Sequence, residues 1–93
     1  MSQPIFIPTK GRARRCKTAE LLRSQLVEFN LVVEPQDADD YAKEYGLSNL
    51  MVLPKNDQGL VYARNYIKTE AIKSGADWHW QLDDDIRWFN HRS

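Results

Sequence analysis

Residues 78–85 read Trp78-His79-Trp80-Gln81-Leu82-Asp83-Asp84-Asp85, an apolar and aromatic run that ends in three consecutive aspartates. The run predicts a buried strand, and carboxylates at the end of a buried strand are costly unless a cation neutralises them. Carboxylate oxygens suit Mg²⁺ or Mn²⁺, which typically complete their shell with water and substrate phosphates. The alternative is that the aspartates cap a helix or lie in a solvated turn. The triplet alone leaves both interpretations open.

Three further apolar runs predict strands, and a proline lies at or near the end of each. They are Ile5-Phe6-Ile7, Leu31-Val32-Val33 and Leu50-Met51-Val52-Leu53. Apolar residues follow one another in these runs instead of alternating with polar ones. This pattern is typical of strands buried on both faces of a parallel sheet.

Three helix patterns separate the four predicted strands. Their predicted N-caps are Thr18, then Asp37, then Asn56 or Asp57. The first helix has an apolar stripe at spacings of three and four, formed by Ala19, Leu22, Leu26 and Phe29. The second is predicted to run through Tyr45 and stop at Gly46. The third has the stripe Leu60, Ala63, Ile67 and Ala71 and ends at Gly75.

The alternation of strands and helices predicts an α/β fold, a Rossmann-like, mostly parallel sheet of about four strands with helices on both faces. Ligands of such sheets bind outside the carboxyl ends of the strands. The segments that follow the four strands are rich in basic, amide and carboxylate groups. They are residues 9–17, 34–37, 55–59 and 83–85. We therefore expect four loops to converge on one site.

Length and composition narrow the class of protein. The 93 residues predict a single domain spanning residues 1–93. Thirteen Lys and Arg balance thirteen Asp and Glu, so no overall charge favours nucleic acid or a membrane surface. The single cysteine, Cys16, excludes an internal disulfide and a multi-cysteine zinc site. No stretch has the length of a membrane span, and we expect a cytoplasmic protein that does not enter a membrane.

The sequence resembles glycosyltransferases of the A-type fold. The resemblance rests on Ile5-Phe6-Ile7-Pro8-Thr9-Lys10-Gly11-Arg12, Val33-Glu34, Gly59-Leu60-Val61-Tyr62-Ala63-Arg64-Asn65 and Asp83-Asp84-Asp85. In that family a Pro-Thr/Ser-x-x-Arg element and a helix containing Ala-Arg-Asn precede a metal-binding Asp-x-Asp motif. The chain resembles the donor-binding half of such an enzyme, which continues with further strands that build the acceptor pocket and supply a general base.

Three segments are similar to a narrower group, the phage glycosyltransferases found beside enzymes that oxidise thymine or methylcytosine in DNA. The segments are Val32-Val33-Glu34-Pro35-Gln36-Asp37, Leu53-Pro54-Lys55-Asn56-Asp57-Gln58-Gly59 and Trp78–Ile86. Those enzymes are thought to glycosylate hydroxymethylated pyrimidines. The resemblance therefore implies a nucleotide-diphosphate sugar, carried on uridine diphosphate (UDP), as donor and a modified DNA base as acceptor.

The family's nucleoside-cradling loop matches Pro8, Thr9 and Arg12, with Arg12 approaching a phosphate. The other cations of the basic stretch, among them Arg14, Arg15 and Lys17, are read as solvated side chains. Glu34 matches an acidic position that contacts base or ribose, and its alternative is a solvent-facing residue before Pro35.

Gly59 permits close backbone approach at a helix start, where anions are favoured. Arg64 follows one turn later and is expected to make bidentate hydrogen bonds to a diphosphate or to hold the aspartates in position. The alternative is an arginine paired with a surface acid.

Within the triplet, the resemblance assigns sugar or ribose contact to Asp83 or Asp84 and the metal, Mn²⁺ or Mg²⁺, to Asp85 with Asp83. The register among three identical residues leaves Asp84 open to either role. His79 is read as a packed or surface residue, and His91 is a weak match to a late metal-binding histidine. The three tryptophans, Trp78, Trp80 and Trp88, are read as core or as surface for an oligomeric partner.

Two other functions compete with a glycosyltransferase domain. One is a non-catalytic nucleotide-sugar-binding or assembly fragment that lacks the acceptor half. The other is a sugar nucleotidylyltransferase, which would need a glycine-rich, lysine-containing phosphate loop after the first strand. Only Gly11 is present there.

Overall fold

A computed structural model describes residues 4–11, 16–46, 50–82 and 84, and the backbone of residues 88–92. Its elements are, in chain order, β1 Ile5–Pro8, α1 Lys17–Ser24, β2 Asn30–Val33, α2 Ala38–Tyr45, β3 Leu50–Val52, α3 Gly59–Lys73, β4 Trp78–Leu82 and β5 Trp88–Arg92. One turn of 3₁₀ helix, Pro35–Asp37, leads into α2. None of the helices in this part of the chain is long and apolar enough to cross a membrane.

The five strands form one sheet in the order β3-β2-β1-β4-β5. The first four run parallel, and β5 pairs antiparallel with β4. The α/β class and the mostly parallel sheet are therefore confirmed, with β5 as a strand that the sequence did not predict. Because the chain builds outward from β1 to β3 and then crosses to β4, the strand order reverses between β1 and β4. In sheets of this kind the ligand crevice lies at that reversal.

Helices cover both faces of the sheet. On one face α1 and α2 pack against Ile7, Leu31 and Val33, and Leu22 and Tyr41 are the large buried side chains of the helices. On the other face the buried residues of α3 pack against Phe6 and Val32. Side chains that alternate along β1 and β2 thus enter two different cores, which explains why these strands are apolar without interruption.

The predicted start and length of α1 are wrong. Its N-cap is Cys16, and Thr18 is a buried residue inside the helix. The helix ends at Ser24, so Leu26 lies beyond it at φ 57° and is 93 % exposed. Phe29 is buried, but it precedes β2 instead of continuing the helical stripe. Of the four residues of the predicted stripe, Ala19 and Leu22 lie in the helix, and Leu26 and Phe29 lie beyond its end.

The start of α3 also differs from the prediction. Its N-cap is Gln58, and neither Asn56 nor Asp57 caps it with a side chain. Ala63, Ile67 and Ala71 are buried as predicted, whereas Leu60 is 53 % exposed. Leu60 lies in the first turn of the helix.

Leu26 gives a prediction about stability. The Val27 N–H donates to the Leu22 carbonyl and the Leu26 N–H to the Arg23 carbonyl, which is a Schellman motif with leucine in the left-handed position. Glycine adopts this conformation without a steric penalty. We expect Leu26→Gly to raise the free energy of unfolding by about 0.5–1 kcal/mol, measured by urea denaturation. Leu26→Ala is the matched control, because it keeps the strain, and an equal gain in both variants would contradict the explanation.

Candidate functional site

A pocket of about 320 Å³ opens at the carboxyl ends of the parallel strands. Five of the predicted site residues line it: Pro8, Thr9, Glu34, Gly59 and Asp84. The other lining residues are Lys10, Val32, Leu53, Leu60 and Ala63. The loops after β1, β2, β3 and β4 each contribute to the pocket or to the polar groups beside it, so the expected convergence is present among the described residues.

A chain of hydrogen bonds crosses the strand reversal between β1 and β4. The Thr9 hydroxyl donates to the Asp84 carboxylate at 2.9 Å, and the Tyr41 hydroxyl lies 2.7 Å from the Thr9 Oγ1. A threonine hydroxyl carries one proton, which Asp84 receives, so Tyr41 must be the donor to Thr9. The direction of the chain is thus fixed from Tyr41 through Thr9 to Asp84, and it orients a carboxylate in the pocket.

Asp84 is also held by its backbone. Its carbonyl accepts a hydrogen bond from the Thr18 N–H in the first turn of α1, at 3.3 Å. This N–H has no partner within the helix, since the first four amides of a helix lack one. The loop after β4 is therefore attached to α1 as well as to β1.

Cys16 lies beside this chain and is completely buried. Burial raises the pKa of its thiol to about 11. The thiol is therefore neutral near neutral pH, and a neutral thiol is a poor nucleophile and a poor metal ligand. Cys16 acts as a packing residue at the start of α1.

Glu34 is bound by the protein from several sides and is only 6 % exposed. Its Oε2 accepts the Asp57 N–H at 2.8 Å, and its Oε1 accepts the Gln36 Nε2 at 2.6 Å. Lys10 Nζ lies 3.5 Å from Oε1. The solvent-facing alternative for Glu34 is wrong. Its carboxylate fastens the loop after β3 to the end of β2 while still lining the pocket.

Lys10 and Asp57 form an ion pair at the rim, with 2.6 Å between Nζ and Oδ1. The hydrogen bond with Asp57 raises the pKa of Lys10, and the same bond lowers the pKa of Asp57. Both residues are therefore charged over a wide range of pH. Asp57 has a φ of 57°, a left-handed conformation that aspartate tolerates better than most residues.

Asp37 occupies the predicted cap position of α2 but does not cap the helix with its side chain. Its Oδ2 accepts the Gly11 N–H at 3.0 Å, which ties the loop after β1 to the segment after β2. In the same way, Asn56 Oδ1 accepts the Gln36 N–H at 2.9 Å. Asp37 and Asn56, which were both predicted as helix caps, thus join neighbouring loops of the site.

Arg64 does not line the pocket. It is half-buried on α3, and its Nη1 lies 3.5 Å from Oε1 of Gln81 on β4. Gln81 is 4 % exposed and contacts His79, which is 1 % exposed. His79 is therefore a packed residue of the core, and the alternative that pairs Arg64 with a surface acid does not describe this contact.

Three predicted site residues, Arg12, Asp83 and Asp85, lie outside the described residues, as do Arg14 and Arg15 and the side chains of Trp88 and His91. Among the described residues, no group of three His, Cys, Asp or Glu side chains is placed to hold a metal ion. The metal assignment to Asp85 and Asp83 stays a prediction.

The sequence interpretation missed Lys10, Tyr41 and Asp57 as residues of the site. Lys10 carried a usable signal, since it follows Thr9 directly at the end of β1. Tyr41 carried a weaker one, because it lies on the sheet-facing side of α2. The role of Asp57 depends on a left-handed backbone conformation and on partners in two other loops, which no local pattern encodes.

A family model described as TET-Associated Glycosyltransferase matches residues 3–93. No curated protein and no solved structure matches the chain. The match covers every described element, including β5, and so the narrower of the two resemblances noted from the sequence is shown.

Proposed function

The chain belongs to the TET-associated glycosyltransferase family, and we propose that its pocket binds a nucleotide-diphosphate sugar, with UDP as the carrier, together with Mn²⁺ or Mg²⁺. The observation that carries the proposal is the position of the pocket at the strand reversal, where Thr9 of the β1 loop donates to Asp84 of the β4 loop. Nucleotides bind at this place in sheets of this topology.

The lining of the pocket suits the nucleoside end of such a donor. Apolar surface from Val32, Leu53 and Leu60 lies beside the polar edge formed by Lys10 and Glu34. A base needs a flat apolar contact, and base and ribose offer hydrogen bonds to a few fixed polar groups. We assign Pro8 and Thr9 to backbone and hydroxyl contacts and Glu34 to a ribose hydroxyl.

Charge favours a metal ion as part of the ligand. Within the described pocket Glu34 and Asp84 contribute carboxylates, and the ammonium of Lys10 is already paired with Asp57. A diphosphate brought next to these carboxylates would be repelled unless a divalent cation accompanied it. Carboxylate oxygens are the donor set that Mg²⁺ and Mn²⁺ prefer, and the aspartate triplet supplies such oxygens. Asp85 and Asp83 are the proposed ligands.

The proposed reaction transfers the sugar to a hydroxyl group. The acceptor oxygen forms a bond to the anomeric carbon, the bond from that carbon to the phosphate oxygen breaks, and the diphosphate leaves with the electron pair while the hydroxyl proton passes to a base. A bound divalent ion supplies Lewis-acid stabilisation of the leaving diphosphate. Gly59 and Arg64, at the start of α3, are proposed to contribute backbone and guanidinium donors to the same anion.

The proposed acceptor is the hydroxymethyl group of a modified pyrimidine in DNA. This proposal rests on the family's description, which places its members with TET enzymes. Incubating the chain with UDP-sugar, Mn²⁺ and hydroxymethylated DNA tests it, with unmodified DNA of the same sequence as the control. Donor binding without transfer or donor hydrolysis would favour the alternative, a non-catalytic nucleotide-sugar-binding fragment, over the enzyme.

Calorimetry tests the donor site. We expect a UDP-sugar to bind at least about tenfold more tightly with Mn²⁺ than without it, and Asp85→Ala to remove that difference. Asp39→Ala is the matched control, because Asp39 is an exposed carboxylate on α2 and should leave the metal dependence intact. Unchanged metal dependence in Asp85→Ala would contradict the assignment of Asp85.

A further inference from the structure

Two buried polar residues interrupt the apolar face of the sheet under α3. His79 and Gln81 lie two residues apart on β4, so their side chains are on the same face of the sheet, and they are 1 % and 4 % exposed. Phe6 and Val32, which contribute to the same face from β1 and β2, are apolar. Buried polar side chains are costly unless they are hydrogen-bonded, so we expect both residues to have hydrogen-bond partners.

The hydrogen bonds of this pair lead to Arg64. Gln81 Oε1 lies 3.5 Å from Arg64 Nη1, and Gln81 Nε2 lies 3.5 Å from the Arg64 carbonyl and 3.0 Å from His79 Nε2. Gln81 thus contacts both the side chain and the backbone of the same residue. Two contacts to one residue fix an orientation better than either alone.

The chemistry of the groups fixes the direction of these bonds. A guanidinium only donates, so Gln81 must present its oxygen to Arg64 and turn its amide nitrogen towards His79. His79 Nε2 must then accept, which makes the imidazole neutral with its proton on Nδ1. A His79 ring that accepts at Nε2 is therefore compatible with the amide orientation that offers an acceptor to Arg64.

Arg64 is placed where this orientation matters for the pocket. It lies four residues after Leu60, on the same side of α3, and directly after Ala63, and both of these residues line the pocket. Gln81 precedes Asp84, which also lines the pocket, by three residues. The guanidinium is thus held between α3 and β4, and Leu60 and Ala63, its neighbours on α3, line the pocket.

We infer that Gln81 and His79 are positioning residues that hold the Arg64 guanidinium for the diphosphate of the donor. The inference rests on the proposed function and extends it to two residues behind the pocket. Neither residue lines the pocket, so both would act through Arg64. A purely structural role for the pair would affect all ligands of the pocket alike, whereas positioning affects the anionic part of the donor.

The experiment compares two probes, UDP and uridine, titrated in the presence of Mg²⁺ and followed by NMR, which also measures weak binding. We expect Gln81→Met, which keeps the volume but removes all three polar contacts, to weaken UDP binding by about tenfold and to leave uridine binding unchanged. Gln81→Glu keeps an acceptor for Arg64 and should restore most of the preference for UDP. His79→Leu should reproduce the loss, and His79→Gln, which retains an acceptor, should not.

Each outcome has a distinct meaning. Equal weakening of UDP and uridine, or an unchanged preference in both Gln81→Met and His79→Leu, would overturn the positioning role. If the unmutated chain itself shows no preference for UDP over uridine, the proposed donor site is wrong, and the inference that rests on it is wrong as well. Circular dichroism checks folding, and if Gln81→Met does not fold, the comparison of His79→Leu with His79→Gln decides.

Discussion

Replacing Thr9 with valine is expected to lower the free energy of unfolding by about 2–3 kcal/mol, although the two side chains have nearly the same shape. The hydroxyl of Thr9 accepts from Tyr41 at 2.7 Å and donates to Asp84 at 2.9 Å. Tyr41 is completely buried, so its hydroxyl loses the Thr9 acceptor in a place that water does not reach. The loss of a buried hydrogen bond costs about 0.5–1.5 kcal/mol, and the loss of the bond to the charged Asp84 adds about 1.5–3 kcal/mol.

Two control variants separate the contributions to this loss. Tyr41→Phe removes the buried donor and keeps the bond between Thr9 and Asp84, so we expect a loss of only about 1 kcal/mol. Thr9→Ser keeps the hydroxyl and should leave both bonds in place. Urea denaturation at one pH measures all three. If Thr9→Val costs no more than Tyr41→Phe, the bond to Asp84 contributes nothing to stability.

The same variant has a consequence for binding. Thr9→Val removes one of the contacts that orient the Asp84 carboxylate, so a ligand that needs this orientation loses more conformational entropy on binding. We therefore expect the donor affinity of Thr9→Val to fall while that of Tyr41→Phe stays closer to the unmutated chain. Calorimetry on folded protein, below the onset of unfolding, keeps the two effects of the substitution apart.

Strands β1 and β2 were predictable because burial on both faces leaves little freedom in composition. Leu31 and Val33 enter one core and Val32 the other, so the whole run must be apolar. The antiparallel β5 lacks this signal, since Trp88–Arg92 mixes aromatic, amide and charged residues. The end of α1 was missed for another reason. Leu26 fits the apolar spacing, but the helix has already ended in a left-handed turn there.

The position of the site was also predictable, because parallel strands bring the segments after them to one edge. Pro8, Thr9, Glu34 and Asp84 could be selected from that rule and from the family resemblance. Their partners could not. That Glu34 is held by the backbone of Asp57, or that Gln81 contacts Arg64, depends on the distance between loops after folding. Side-chain networks between distant segments have no periodic signal in sequence.

Glu34→Gln is expected to lower the free energy of unfolding by about 2 kcal/mol, although it changes a single atom. Every contact of the Glu34 carboxylate is with a donor: the Asp57 N–H at one oxygen, and Gln36 Nε2 and Lys10 at the other. A glutamine side chain offers only one oxygen, so its amide nitrogen must face a donor. Gln36 can relieve this by turning its own amide, but it then loses its hydrogen bond to Asp57 at 3.2 Å.

Lys10→Met provides the comparison that decides which interaction matters. It removes the ion pair at the rim and leaves the two oxygens of Glu34 bound to Asp57 and Gln36. Because both Lys10 and Asp57 are exposed to solvent, the ion pair should contribute far less to stability than the buried contacts of Glu34, and less again at high salt. Denaturation of both variants at low and at high salt distinguishes the contribution of the ion pair from that of the buried Glu34 contacts. A loss in Lys10→Met that equals the loss in Glu34→Gln would mean that the ion pair, and not the buried acceptor, holds the loop after β3 against β2.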